Sequence, residues 1–244
     1  MISKTQIKNI KLLHQKKYRE SEGVFIAEGP KIVNDLLNSK FKVREVFATK
    51  EFKVQGSSLR IHEVTEKELI QLSALATPNQ VIASFETEDV MPDVRILKME
   101  LVLALDDIRD PGNLGTIIRI ADWFGIRHIL CSESSVDVYN PKVIQATMGS
   151  IARVNVYYAD LDTVLKEFNT VYAAVLDGDN IYSQKLSKQG VVLIGNESKG
   201  VSEKLMKCVN RRISIPNFSA GAESLNAAVA VAVICSEFKR REKA

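Results

Sequence analysis

Cysteine is scarce in this chain: three residues in 244, Cys131, Cys208 and Cys235, far apart and without a Cys-x-x-Cys pair. That usage gives no disulfide framework, no cysteine-based metal site and no redox couple, and it fits a reducing, cytoplasmic compartment. Long apolar runs are missing as well. No stretch approaches the roughly 18 apolar residues of a membrane span, and the opening MISKTQIKNIKLLHQKKYRE alternates apolar with basic residues instead of building the core of an export signal. Neither a membrane anchor nor a leader is expected. Charge of one sign is also lacking: 33 Lys and Arg stand against 30 Asp and Glu, net +3, which permits nucleic acid as a partner without demanding it. Internal repeats and low-complexity tracts are absent.

What is present is the ordinary composition of a globular protein, 45% hydrophobic and 26% charged, long enough for one large or two modest domains. Ile7, Ile10, Leu13 and His14 recur at helical spacing, and the cationic run Lys16-Lys17-Tyr18-Arg19 closes that helix. GVFIAEG (23–29) then reads as a strand and PKIVNDLLNS (30–39) as a helix opened by proline. VREVFAT, LRIHEVT and QVIASFE read as further strands around a short helix at 65–75. These make a small α/β domain over residues 1–90. Residues 87–98 lose periodicity, gather acidic residues and include Pro92, so the linker is set at 91–98 and the second domain at 99–244. The second domain opens with MELVLALD, an apolar run of the kind a doubly buried parallel strand needs. Similar runs at RHILCS, ARVNVYY, TVYAAVLDG and VVLIGNE alternate with helical segments, as in a parallel α/β sheet.

Three segments carry chemistry. In LDDIRDPGNLGTIIRIADWFGI (105–126) a strand runs through a Pro-Gly-Asn turn into a helix whose buried stripe is Leu114, Ile117, Ile118, Ala121 and Phe124. Arg119 falls off the stripe, Gly115 clears space one turn earlier, and Asn113 sits where a helix start exposes N–H groups. Alternatively, Asn113 is the helix cap and Arg119 pairs with Asp122. Asp106, Asp107 and Asp110 admit a metal cluster, but no metal is expected. The second segment, VVLIGNESKGVS (191–202), sets a glycine loop with Glu197 after a buried strand, where open α/β sheets bind ligands; it matches neither GxGxxG nor a phosphate loop. The alternative is a tight turn whose glycines serve the backbone alone. The third, residues 212–241, has a strand ending at Pro216, a glycine-containing loop, and Ser224-Leu225-Asn226 opening a helix rich in small residues, with Ser224 as N-cap.

In order, the segments resemble the SpoU methyltransferases: NxGxxxR as Asn113, Gly115 and Arg119; GNExxG as Gly195 to Gly200; IP followed by SLN as Ile215, Pro216 and Ser224 to Asn226. The likeness covers about residues 99–241, and YRESEGVFIAEGPKIVNDLL is similar to the substrate-binding extension many members carry. It implies an α/β fold with a C-terminal trefoil-knotted parallel-sheet domain of the SPOUT, or α/β-knot, type behind a small α/β substrate-binding domain, and a homodimer joined through the knotted domain. It implies S-adenosylmethionine as methyl donor, without a metal, and transfer to a ribose 2′-hydroxyl of RNA. Ribosomal RNA is favoured over transfer RNA; a catalytically silent RNA-binding or ribosome-assembly protein is the competing class. Carried over by position, Arg119, Asn113, Glu197, Ser224 and Asn226 surround the reacting groups. Gly195, Asn196, Gly200, Ile215, Pro216 and Leu225 hold the donor. Lys17, Arg19 and Lys31 are the expected RNA contacts on the N-terminal domain, Arg19 foremost. The loop between Pro216 and Ser224 is about one residue longer than the family pattern.

Overall fold

The computed structural model describes residues 2–53, 61–88, 93–219, 221 and 223–240. Along the chain come α1 (Lys4–Leu12), α2 (Lys16–Glu22), β1 (Val24–Glu28), α3 (Pro30–Leu37), β2 (Val43–Ala48), β3 (Ile61–Glu63), α4 (Glu66–Leu72) and β4 (Val81–Glu86). Then follow α5 (Val94–Leu97), β5 (Leu101–Leu105), α6 (Pro111–Trp123), β6 (His128–Cys131), α7 (Pro141–Thr147), β7 (Asn155–Tyr158) and α8 (Leu161–Leu165). The chain continues through β8 (Val171–Asn180), β9 (Gly190–Ile194), α9 (Glu203–Met206), β10 (Arg211–Ser214) and α10 (Ala227–Arg240). Leu59 and Arg60, expected to begin a strand, lie outside the described residues, as does the stretch 89–92 of the expected linker. Among the described residues no helix is long and apolar enough to cross a membrane.

Two compact units emerge: Met1–Asp89 with Asp137–Arg153, and Val90–Val136 with Val154–Ala244. In the first, a mixed sheet runs β1-β4-β2-β3, antiparallel except for the β2/β3 pair. All five residues of β1 are buried, so both faces of this strand are covered. Tyr139 explains one face: it stacks on Phe25 at 4.7 Å, and Phe25 in turn stacks on Phe85 at 5.7 Å. Asp137–Arg153, which sequence pattern grouped with the catalytic half, therefore completes this core.

The N-terminal helix departs from its expected form. The cationic run opens a second helix instead of closing the first, because the chain breaks at residues 13–15 and re-enters helix at Lys16. That break turns Arg19 inward, and the expectation of Arg19 as a free RNA contact is corrected. Its side chain is only 3% exposed; Nη2 and Nε reach Asp137 Oδ2 at 2.5 and 3.2 Å, and Nη1 donates to the Leu13 carbonyl at 3.0 Å. A guanidinium so engaged is a structural tie.

The second unit holds six parallel strands in the order β10-β8-β9-β5-β6-β7. From β5 the chain winds outward through β6 to β7, then crosses to the opposite side for β8, β9 and β10. The winding thus reverses between β5 and β9, and the crevice beyond the carboxyl ends of those two strands is where such sheets take ligands. Every residue of β5 and β9 is buried. The β8/β10 pairing jumps from Arg212↔Ala173 to Ile213↔Asp179, so residues 174–178 leave the ladder. Gly178 meets the Ile213 backbone there; an added Cβ would fall 2.6 Å from its carbonyl carbon.

Candidate active site

The loop leaving β5 is held at nearly every residue. Asp106 is 7% exposed and its Oδ2 accepts from Ser202 N at 2.8 Å. Asp107 adopts a left-handed backbone, φ 58°; its N–H donates to Ser132 Oγ and its carbonyl accepts from Asn196 Nδ2, each at 2.8 Å. Arg109 Nε donates to Asp107 Oδ1 at 2.8 Å, and that bond holds the Asp107 carboxyl below its ordinary range. Asp110 Oδ1 accepts from Asn113 N at 2.7 Å, capping α6, with Pro111 in the first turn. Each of the three carboxylates therefore answers a different local donor. Among the described residues no group of three or more His, Cys, Asp or Glu is placed to hold a metal.

Because Asp110 does the capping, the Asn113 side chain is released for another task. Its Nδ2 donates to Glu197 Oε1 at 2.6 Å, and its Oδ1 accepts from Asn226 Nδ2 at 2.9 Å. Asn226 Oδ1 meanwhile accepts from Ala228 N and Val229 N at 3.0 and 3.3 Å. Asn226, not Ser224, is thus the residue that caps α10, which begins at Ala227. Ser224 and Leu225 precede it on the exposed surface.

Arg119 is exposed on α6 and forms no hydrogen bond or ion pair among the described residues, so the surface pair with Asp122 is not made. Asn196 is spent on the loop itself: Nδ2 goes to Asp107, while Oδ1 accepts from Ser198 N and Lys199 N. Its backbone exchanges hydrogen bonds with Gly200 at 3.0 and 2.8 Å. Gly195 lies beneath that bridge, where a Cβ would come within 2.1 Å of the Gly200 carbonyl carbon. Ile215 and Pro216 are half-buried after β10. Ala220 and Ala222, in the loop that exceeds the family length, lie outside the described residues. In the first unit Lys17 is exposed, and Lys31 Nζ bonds Asp35 Oδ2 at 3.2 Å and the Met148 carbonyl at 2.8 Å. Sequence reasoning missed the Asp107 and Ser132 scaffold and the close Gly178–Ile213 approach within the β8/β10 pair. The one available signal was a non-alternating glycine inside β8.

Fold and site together define an α/β protein with a polar side-chain cluster at the switch point of a parallel sheet. The SpoU rRNA Methylase family model matches residues 100–236, and that of the MRM3-like substrate binding domain matches residues 4–83. The chain belongs to the SpoU family. It is 28% identical over 237 residues, 94% of each chain, to the 23S rRNA (guanosine(2553)-2′-O)-methyltransferase RlmP of Bacillus subtilis. A TrmH-family structure from Porphyromonas gingivalis superposes with TM-score 0.91, 35% identity and 99% coverage of both chains. An S-adenosylmethionine-bound rRNA methyltransferase from Sinorhizobium meliloti superposes with TM-score 0.86 and 30% identity over 99% of this chain and 97% of that one.

Proposed function

We propose that this protein transfers the methyl group of S-adenosylmethionine to a ribose 2′-hydroxyl of RNA, and that the RNA is ribosomal. The observation that carries the reading is the Asn113–Glu197–Asn226 constellation, which gathers one polar side chain from each of the three family motifs. The residues fit the donor: Gly195 lets the loop after β9 close tightly on Gly200, and Ile215, Pro216 and the half-exposed Leu225 offer apolar surface for an adenine ring. Gly195, Gly200, Ile215, Pro216 and Leu225 would hold it, with Asn196 shaping the loop. When bound, the donor supplies an activated methyl on a sulfonium, and no metal is required by that chemistry.

The remaining task falls to the chain. A ribose hydroxyl is a weak nucleophile at neutral pH, so it must be aligned and its proton removed. Arg119 acts by charge, positioning the hydroxyl and a substrate phosphate, and that phosphate takes the hydroxyl's proton as the methyl is transferred. Glu197, Asn113, Ser224 and Asn226 provide the polar wall. The RNA is gripped by the first unit, with exposed Lys17 and Lys31 as candidate contacts; the match to a substrate-binding domain over residues 4–83 supports this. The C-terminal chain threads a trefoil knot and the second unit pairs as a homodimer. Membership of the SpoU family supports the first; an apolar, exposed Trp123 at the end of α6 supports the second. Free, buried Cys131 and Cys235 thiols agree with a cytoplasmic site of action.

Replacement of Arg119 by alanine tests the reading: methyl transfer should be lost while S-adenosylmethionine binding by calorimetry stays near wild type. Full single-turnover methylation by that variant would overturn the role of Arg119. Absence of donor binding by the wild-type protein would favour the catalytically silent class, and a methyl found on a base by mass spectrometry would move the acceptor.

A further inference from the structure

Arg109 stands out from the loop around it. Its neighbours on both sides are fixed: Ile108 is fully buried, with its N–H donating to Ser135 Oγ at 3.2 Å and its carbonyl accepting from Val136 N at 2.8 Å, and Asp110 caps α6. The Arg109 side chain is nevertheless 66% exposed, and only its Nε is used, against Asp107 Oδ1. Asp107 itself is locked by Ser132 and by Asn196. The four N–H groups at the end of the guanidinium have no partner among the described residues, so a planar, permanently charged fork is held on a rigid stem four residues before Asn113. A fork of this shape matches a phosphate bidentately, and a surface salt bridge to Asp107 is too weak by itself to explain so firm a scaffold.

We propose that Arg109 holds a phosphate of the RNA beside the accepting nucleotide, with Asp107 as the positioning residue that orients its guanidinium. This rests on the RNA methyltransferase reading above. The chemistry favours the RNA backbone, because phosphate contacts fix the register of a nucleic acid without reading its sequence. Asp107 serves both sides of the crevice: its carboxylate steers Arg109, and its carbonyl anchors the Glu197 loop through Asn196.

The test uses the full chain, tritiated S-adenosylmethionine and RNA extracted from cells lacking the protein. Arg109→Ala should raise the RNA KM about tenfold and lower the slope of log K against log salt by about one. Its kcat at saturating RNA, its melting temperature and its S-adenosylmethionine Kd should stay at wild-type values. Arg109→Lys, which keeps charge without the fork, should restore the salt slope and only part of the KM. Asp107→Asn should raise the KM with an unchanged salt slope, since the arginine charge remains. An unaltered RNA KM in Arg109→Ala overturns the proposal. So does a weakened donor Kd with normal RNA affinity, which would assign the fork to the donor carboxylate. Wild-type protein that incorporates no methyl group would instead sink the underlying reading and this inference with it.

Discussion

Asn113 lies 2.6 Å from Glu197 and 2.9 Å from Asn226, so one amide joins residues 84 and 113 positions away in the chain. Its two ends are used in opposite senses: the NH2 group donates to the carboxylate and the oxygen accepts from the second amide. Asn113→Ala removes both. Loss of a hydrogen bond to a charged group costs about 1.5–3 kcal/mol, so kcat should fall roughly 10- to 100-fold. Asn113→Asp should be worse, because it sets a second carboxylate against Glu197. Single-turnover rates check this; an aspartate variant as active as wild type would dissolve the proposed network.

The glycines of the Glu197 loop separate lack of space from backbone strain. Gly195 has ordinary dihedrals, but a Cβ there would lie 2.1 Å from the Gly200 carbonyl carbon and 2.2 Å from Val201 N. Gly200 is the reverse, with φ 68° and nothing within 4 Å of an added Cβ. Gly200→Ala should therefore cost only about 1–2 kcal/mol of stability, the left-handed penalty of an L residue. Gly195→Ala should force the loop open and abolish donor binding. Calorimetric titration with S-adenosylmethionine distinguishes them, and tight binding by Gly195→Ala would refute the close-packed loop.

Much of this was legible in the sequence because the signals were local. Pro30 opens α3 as expected, and the apolar runs at 99–106 and 191–194 became the two central strands, whereas Pro111, expected in a turn, is the first residue of α6. What stayed hidden depended on partners remote in the chain. Nothing around Arg19 announces Asp137, 118 residues on, so a cation in a basic run read as surface. The same distance effect concealed Asp137–Arg153 inside the first unit: its helix looks alike whichever core receives it. Ser224, and Asn113 in its alternative reading, are cap candidates by residue type; Asp110 and Asn226 hold those places, and spacing alone does not rank such candidates.

The buried Arg19–Asp137 pair makes a prediction about folding instead of RNA. Arg19→Ala leaves a carboxylate that is 16% exposed without its cation, which should destabilise the protein by about 3–5 kcal/mol. The apolar isostere Arg19→Met paired with Asp137→Leu should recover most of that loss, since neither charge is then stranded. Denaturant titration gives the values. Salt dependence of RNA binding should not change in the double variant; a slope reduced by one would return Arg19 to the RNA surface. Deleting residues 1–90 is a poor substitute for these point variants, as it would strip Val143, Ile144 and Ile151 of the unit that buries them.

Trp123 provides the test of assembly. It is 84% exposed at the last residue of α6, and α6 packs on α10, where Val229 is 50% exposed. A large aromatic left in water on a helix pair is a candidate contact surface, and aromatics are enriched at the buried centre of such contacts. Trp123→Glu would place a charge in that centre, where self-association of a two-fold interface brings like charges together. Sedimentation should show the wild-type chain at twice its 27.2 kDa mass and the variant at the monomer mass. Methyl transfer should fall with the dimer if the second copy completes the site, whereas melting of the isolated chain should change little because the residue buries nothing in the monomer. A variant that remains dimeric would move the interface to another face, and a monomeric but fully active variant would confine the whole reaction to one chain.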